Sequence, residues 1–180
     1  LVGGAAPPVG ATAGCPAGAT MDVVAHQDDD LLFLSPDLLH DIQANRCVRT
    51  VYVTSGVSDG DVSYMEQREN GVKAAYAQMA GVANSWTTGD AGISGHPMPL
   101  VTLTGKPGVS LVFMRLPQAE WGAPFNPNAS TLRNLWSGSI TSVQAQGGTS
   151  TYTKTQLIST LATLMTNFQP DTVRTQDYVG

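Results

Sequence analysis

Short apolar runs alternate along the chain with polar, turn-forming stretches, and their spacing predicts an α/β order. Residues 21–25 (MDVVA) are a short apolar run entering a polar cluster, the pattern of a buried parallel strand. Ser35 then offers an N-cap before Pro36, and Leu38, Leu39 and Ile42 share one helical side, which predicts a helix over residues 36–44. Residues 48–54 are β-branched and read as a second strand. After a glycine-containing loop at 55–61, Ser63 and Glu66 have capping-box spacing, and Met65, Val72, Tyr76 and Met79 recur at helical intervals until Gly81.

Strand, helix, strand and helix joined by short loops favour an α/β fold with a mostly parallel sheet flanked by helices. The middle of the chain departs from that pattern. Residues 100–104 and 109–116 flank Gly105-Lys106-Pro107-Gly108 as a β-hairpin would. Residues 117–148, rich in Pro, Gly, Asn and Ser, read as a long loop insertion over the surface. Thr153 and Gln156 form a second capping box, after which Leu157, Ile158, Leu161, Leu164, Met165 and Phe168 trace one helical face. Pro170 ends that helix, and residues 172–175 start a strand that runs into Gln176-Asp177. A length of 180 residues suits one domain, read as residues 21–180 behind an N-terminal extension at 1–20.

Composition narrows the class. Charged residues make up 13%, about half the usual share, so polarity rests on Ser, Thr, Asn, Gln and Gly, a balance associated with exported proteins. A net charge of −5, with nine Lys and Arg scattered singly, gives no footprint for nucleic acid or an anionic membrane surface. No apolar run approaches the roughly 18 residues of a membrane span. Residues 1–20 are small and rich in Gly, Ala and Pro, as at the start of a mature secreted protein whose signal peptide has gone. Cys15 precedes the first expected strand and Cys47 the second, so adjacent parallel strands would bring them together as a disulfide. Two buried free thiols are the alternative.

The chemistry concentrates after the first strand. Ala25-His26-Gln27-Asp28-Asp29-Asp30 packs an imidazole and three carboxylates at the carboxyl end of a buried strand, the edge where open α/β sheets bind ligands. Carboxylates this close repel one another unless a cation sits among them, and histidine beside carboxylate points to zinc or a similar transition metal. A solvated acidic loop is the plain alternative, although such a turn does not normally feed into Leu31-Leu32-Phe33-Leu34.

This segment resembles the A-H-P-D-D-E signature of the PIG-L/LmbE-like family of zinc-dependent N-acetylglucosaminyl deacetylases, and in its Gln-Asp-Asp-Asp form the secreted branch of it. Thr54-Ser55-Gly56, Arg68 and Pro170-Asp171-Thr172-Val173 extend the likeness, which covers residues 22–79 well and 156–180 moderately. The resemblance implies a Rossmann-like sheet and a hydrolase that removes the acetyl group from an N-acetylated amino sugar or glycoconjugate. It implies His26 and Asp29 as zinc ligands, Asp28 as general base and Arg68 as a substrate-binding residue. Asp30, where the signature has Glu, implies a residue supporting the ligands from behind, and Gln27 replaces the signature Pro.

The family draws its third ligand from an H-x-x-H stretch just past the strand that ends here at Asp177. The resemblance therefore implies a domain continuing beyond Gly180, completed by a C-terminal remainder of the same polypeptide. Within the chain His40 reads as a surface or packed histidine, and His96, in Gly95-His96-Pro97, as a loop residue without a partner pattern. A nucleotide-dependent oxidoreductase is excluded, because the turn after the first strand is acidic where a glycine-rich one is needed. A non-catalytic, metal-dependent carbohydrate-binding domain of the same fold stays open, and metal-dependent acetate release separates it from the enzyme.

Overall fold

The computed structural model describes residues 14–57, 61–119, 124 and 126–177. Residues 1–13 of the expected extension and residues 120–123 and 125 of the expected excursion lie outside that set. The chain runs β1 (Ala19–Val24), α1 (Asp29–Phe33), α2 (Asp37–Gln43), β2 (Cys47–Thr54), α3 (Val62–Ala80), β3 (Trp86–Asp90), β4 (Pro99–Leu103) and β5 (Val109–Leu116). It continues through α4 (Leu132–Ser137), β6 (Val143–Gln144), β7 (Thr151–Tyr152), α5 (Lys154–Phe168) and β8 (Thr172–Thr175).

Six strands form one sheet in the order β3-β4-β5-β2-β1-β8. β5, β2, β1 and β8 are parallel, and β4 and β3 add antiparallel strands at one edge. Both faces are covered, which is why the central strands read as nearly continuous apolar runs. On one face Met21, Val51 and Val112 pack with Leu157, Leu164 and Phe168 of α5. On the other, Tyr52, Leu111 and Phe113 pack with Leu38 and Ile42 of α2 and Val72 and Tyr76 of α3. The parallel α/β sheet, the β4–β5 hairpin and the α5 capping box all follow the sequence reading.

Local signals misplaced several boundaries. Pro36 rather than Ser35 is the N-cap of α2, with no side-chain cap bond. α3 is capped by Asp61, whose carboxylate accepts from the Tyr64 backbone, so Ser63 and Glu66 lie inside the helix. Gly81 ends α3 with φ 67°, a left-handed conformation glycine adopts without strain. The strand β3 was not foreseen, since four of its five residues are exposed and leave no alternating buried set. The 117–148 excursion holds α4, capped by Thr131, and β6, which pairs with β7 as a separate two-stranded ribbon.

Cys15 and Cys47 form a disulfide with a Cα–Cα distance of 5.5 Å. Adjacency explains it: Ala19 stands opposite Cys47 in the parallel register, and the Cys47 backbone donates to Gly18 at 2.9 Å. Closing this loop stabilises the fold by about 3–4 kcal/mol in the chain-entropy picture.

Beneath the sheet edge, an ion cluster ties β8 in place. Asp22 on β1 is fully buried and accepts from Arg174 of β8 at 3.1 Å, while Arg174 also pairs with Asp41 of α2. Burial pushes the Asp22 carboxyl up to about 6 from 3.8, against the opposing pull of Arg174. Between about pH 4 and 6 the folded state thus holds a proton that the unfolded chain has released. This contribution to stability is complete below about pH 4 and is lost as pH rises through about 6. An Asp22→Asn variant, compared with wild type by urea unfolding, should gain relative stability of up to about 3 kcal/mol between pH 4 and 7. A pH-independent difference between the two would refute the assignment.

Candidate functional site

The turn between β1 and α1 is stitched to the end of β2. Thr54 donates through both its backbone N–H and its hydroxyl to the Ala25 carbonyl, at 3.0 and 2.8 Å. The buried Gln27 side chain donates to the Thr54 carbonyl at 3.0 Å, so the residue replacing the signature Pro serves as a tether. From the other side, Gln176 past β8 accepts from the Ala25 backbone at 3.3 Å.

The helix that follows is inverted relative to the usual pattern. Its carboxylates Asp29 and Asp30 are buried, whereas Leu32 and Phe33 are 67% and 64% exposed. The sequence reading noted that a solvated acidic turn does not normally feed into such an apolar run, and here the carboxylates themselves turn inward. Burying charge ahead of hydrocarbon is costly unless the charge is compensated.

His26, Asp28 and Asp29 converge. Asp29 accepts from the His26 backbone at 2.7 Å, and the same oxygen lies 3.2 Å from His26 Nδ1. One potential ligand atom from each of the three lies within 4.8 Å of the others. Among the described residues this is the one such group of His, Cys, Asp or Glu, and one nitrogen with two carboxylates suits a divalent transition metal. Asp28 differs from its neighbours in being half exposed and in having its own cation.

That cation is Arg68 on α3, which reaches back to donate to Asp28 Oδ1 at 2.7 Å and to the Gly56 carbonyl at 2.9 Å. Gly56 has φ 72°, and a Cβ there would come within 2.4 Å of Gln27 Oε1 and 2.9 Å of Arg68 Nη1. The Gly56→Ala variant should therefore push Arg68 off Asp28 and lose about 1–2 kcal/mol from the left-handed backbone. Thermal unfolding and a crystal structure would check this, and an unmoved Arg68 at wild-type stability would contradict it.

Asp30 stands apart from the group. Its carboxyl is sealed in the core, accepting from Tyr52 at 2.7 Å and Tyr76 at 2.5 Å. Burial raises it above the usual carboxylate range, opposed by the two tyrosine hydroxyls. The hydroxyls of Thr50 and Tyr76 are 2.6 Å apart, extending the network into β2. Asp30 thus fixes α1 to β2 and α3 behind the turn. The sequence reading missed Tyr52 and Tyr76, because both looked like ordinary core aromatics. His40 is exposed on α2, and His96 stacks on Tyr152 at 4.6 Å, so neither joins the His26 group.

No helix among the described residues is long and apolar enough to cross a membrane. No curated protein and no solved structure matches the chain. A protein-family model does, over residues 21–180, and it takes in both the His26-to-Asp30 turn and the β8 strand. The chain belongs to the PIG-L family, described as GlcNAc-PI de-N-acetylase, a family of deacetylase-type hydrolases.

Proposed function

We propose that this chain carries the catalytic residues of an extracellular zinc-dependent amide hydrolase that removes the acetyl group from an N-acetylated amino sugar or glycoconjugate. The convergence of His26, Asp28 and Asp29 within 4.8 Å at the carboxyl edge of a parallel sheet carries the reading. Family membership supports the reaction class, and the Cys15–Cys47 disulfide is compatible with an oxidising compartment.

In this reading His26 and Asp29 hold the metal. When bound, zinc polarises the amide carbonyl and makes water a nucleophile near neutral pH. Asp28 supplies the base. Its Oδ1 accepts from Arg68, which fixes the plane of the carboxylate and leaves Oδ2 to take the proton as water attacks. The bond between carbonyl carbon and nitrogen breaks and the departing nitrogen takes up the proton released from water, giving acetate and a free amine. Arg68, beside the base and tethered to Gly56, also lies where it can meet a substrate hydroxyl or carbonyl.

Acetate release from N-acetylglucosamine derivatives by the full polypeptide, measured with zinc and after chelation, tests the proposal. Zinc-dependent release is expected. Sugar binding without any release would favour the carbohydrate-binding alternative.

A further inference from the structure

Arg49 occupies the third position of β2, paired with Met21 of β1 and Ser110 of β5. A guanidinium inside a six-stranded sheet loses hydration that only a partner can replace. Arg46, Arg68, Arg115 and Arg174 each have a carboxylate partner. Arg49 has none among the described residues, and residues 1–13, which lead into the neighbouring Gly14, contain no Asp or Glu. Its Nε donates to Ser110 Oγ at 3.0 Å, and its guanidinium carbon lies 4.4 Å from the Phe168 ring centroid. Burial lowers its pKa to about 10, so it stays cationic at neutral pH.

The residue lines a hollow of about 220 Å³ together with Gly14, the Cys15–Cys47 disulfide, Thr102, Ser110 and Phe168. Phe168 covers a face of the guanidinium and Ser110 takes the Nε position. Among the described residues the two terminal nitrogens have no acceptor, and neither is among the buried polar atoms left without a partner. They form a flat, two-donor edge of the kind that matches a carboxylate or phosphate. Ser110 accepts from Arg49 and keeps its own hydroxyl hydrogen to donate. This place is also remote from the His26 turn. Thr54 lies five residues further along β2, about 16 Å at strand rise.

We infer that the hollow at Arg49 binds a small oxyanion, a carboxylate or phosphate group, gripped by the free guanidinium edge and the Ser110 hydroxyl. The test is an NMR titration of the ¹⁵N-labelled full polypeptide, following the Arg49 Nε–H and the Gly108 and Ser110 amides. Sodium acetate and sodium phosphate are the probes, against sodium chloride at matched ionic strength. At least one oxyanion should shift these signals saturably, with a half-point on the order of millimolar, and chloride should not. Saturation by acetate alone assigns a carboxylate ligand, and by phosphate alone a phosphate ligand. Arg49→Met should abolish the response, and Arg49→Lys, which keeps the charge without the flat edge, should weaken it about 10-fold. Should the Met variant fail to fold, Arg49→Lys and Ser110→Ala carry the test. No saturable shift with either anion, or wild-type titrations in both of those variants, would overturn the inference.

Discussion

Replacing Asp28 by Asn should lower kcat by roughly 10²–10⁴-fold, the usual worth of a general base, while zinc remains bound at wild-type stoichiometry. The substitution is nearly isosteric. The Asn carbonyl can still accept from Arg68 as Oδ1 does now at 2.7 Å, so the turn keeps its shape. What disappears is a carboxylate oxygen able to take a proton. Zinc content must be measured beside turnover, because Asp28 also lies within reach of a metal held by His26 and Asp29. Slow turnover with full zinc supports the base. Slow turnover with zinc lost would make Asp28 a ligand, and wild-type turnover would remove it from the chemistry altogether.

The second large effect is expected at Asp29. Its carboxylate is buried, bonded to the His26 backbone and next to the imidazole, so it both offers a ligand and orients one. Asp29→Ala should weaken zinc binding by at least about 100-fold and abolish acetate release at limiting zinc, since even supporting partners of metal ligands are worth 10–100-fold. Unfolding should separate the mutant from wild type chiefly when zinc is present, because a ligand stabilises the state it binds. An Asp29→Ala protein that titrates with zinc like wild type would exclude the residue from the centre.

Much of this architecture was legible because its central strands bury both faces. Runs such as residues 48–54 therefore announce themselves without any tertiary knowledge. The disulfide followed from the same reading, since adjacent parallel strands bring their lead-ins together. Elements with weak signals were lost. β3 is an exposed edge strand containing Gly89, and α4 is six residues inside a stretch dominated by turn formers.

At the site, the residue types were visible in the sequence itself, whereas roles for Asp28, Asp29 and Asp30 came only from the resemblance. Consecutive Asp28, Asp29 and Asp30 look equivalent in sequence, yet one is exposed against Arg68, one buried against His26 and one sealed between two tyrosines. A one-turn helix sends neighbours in different directions, so burial of each depended on contacts from β2 and α3 that no local pattern encodes. Gln27 likewise looked like a bare departure from the signature until its bond to Thr54 placed it.

The position of β1 between β2 and β8 has a consequence for the order of assembly. Its pairing with β2 joins segments made early, and β5 can add to that ribbon as soon as it is synthesised. β8 must close from far along the chain: Asp22 and its cation Arg174 are 152 residues apart. Long-range pairing of this kind is slow, because chain entropy is lost before the contacts form. A nascent chain therefore carries Asp22 without its counterion, and the Ala25 backbone without Gln176, until the latest of the six strands has been made. Docking of that strand completes the floor under the His26 turn, which makes the ordering of the His26, Asp28 and Asp29 group a late event in folding.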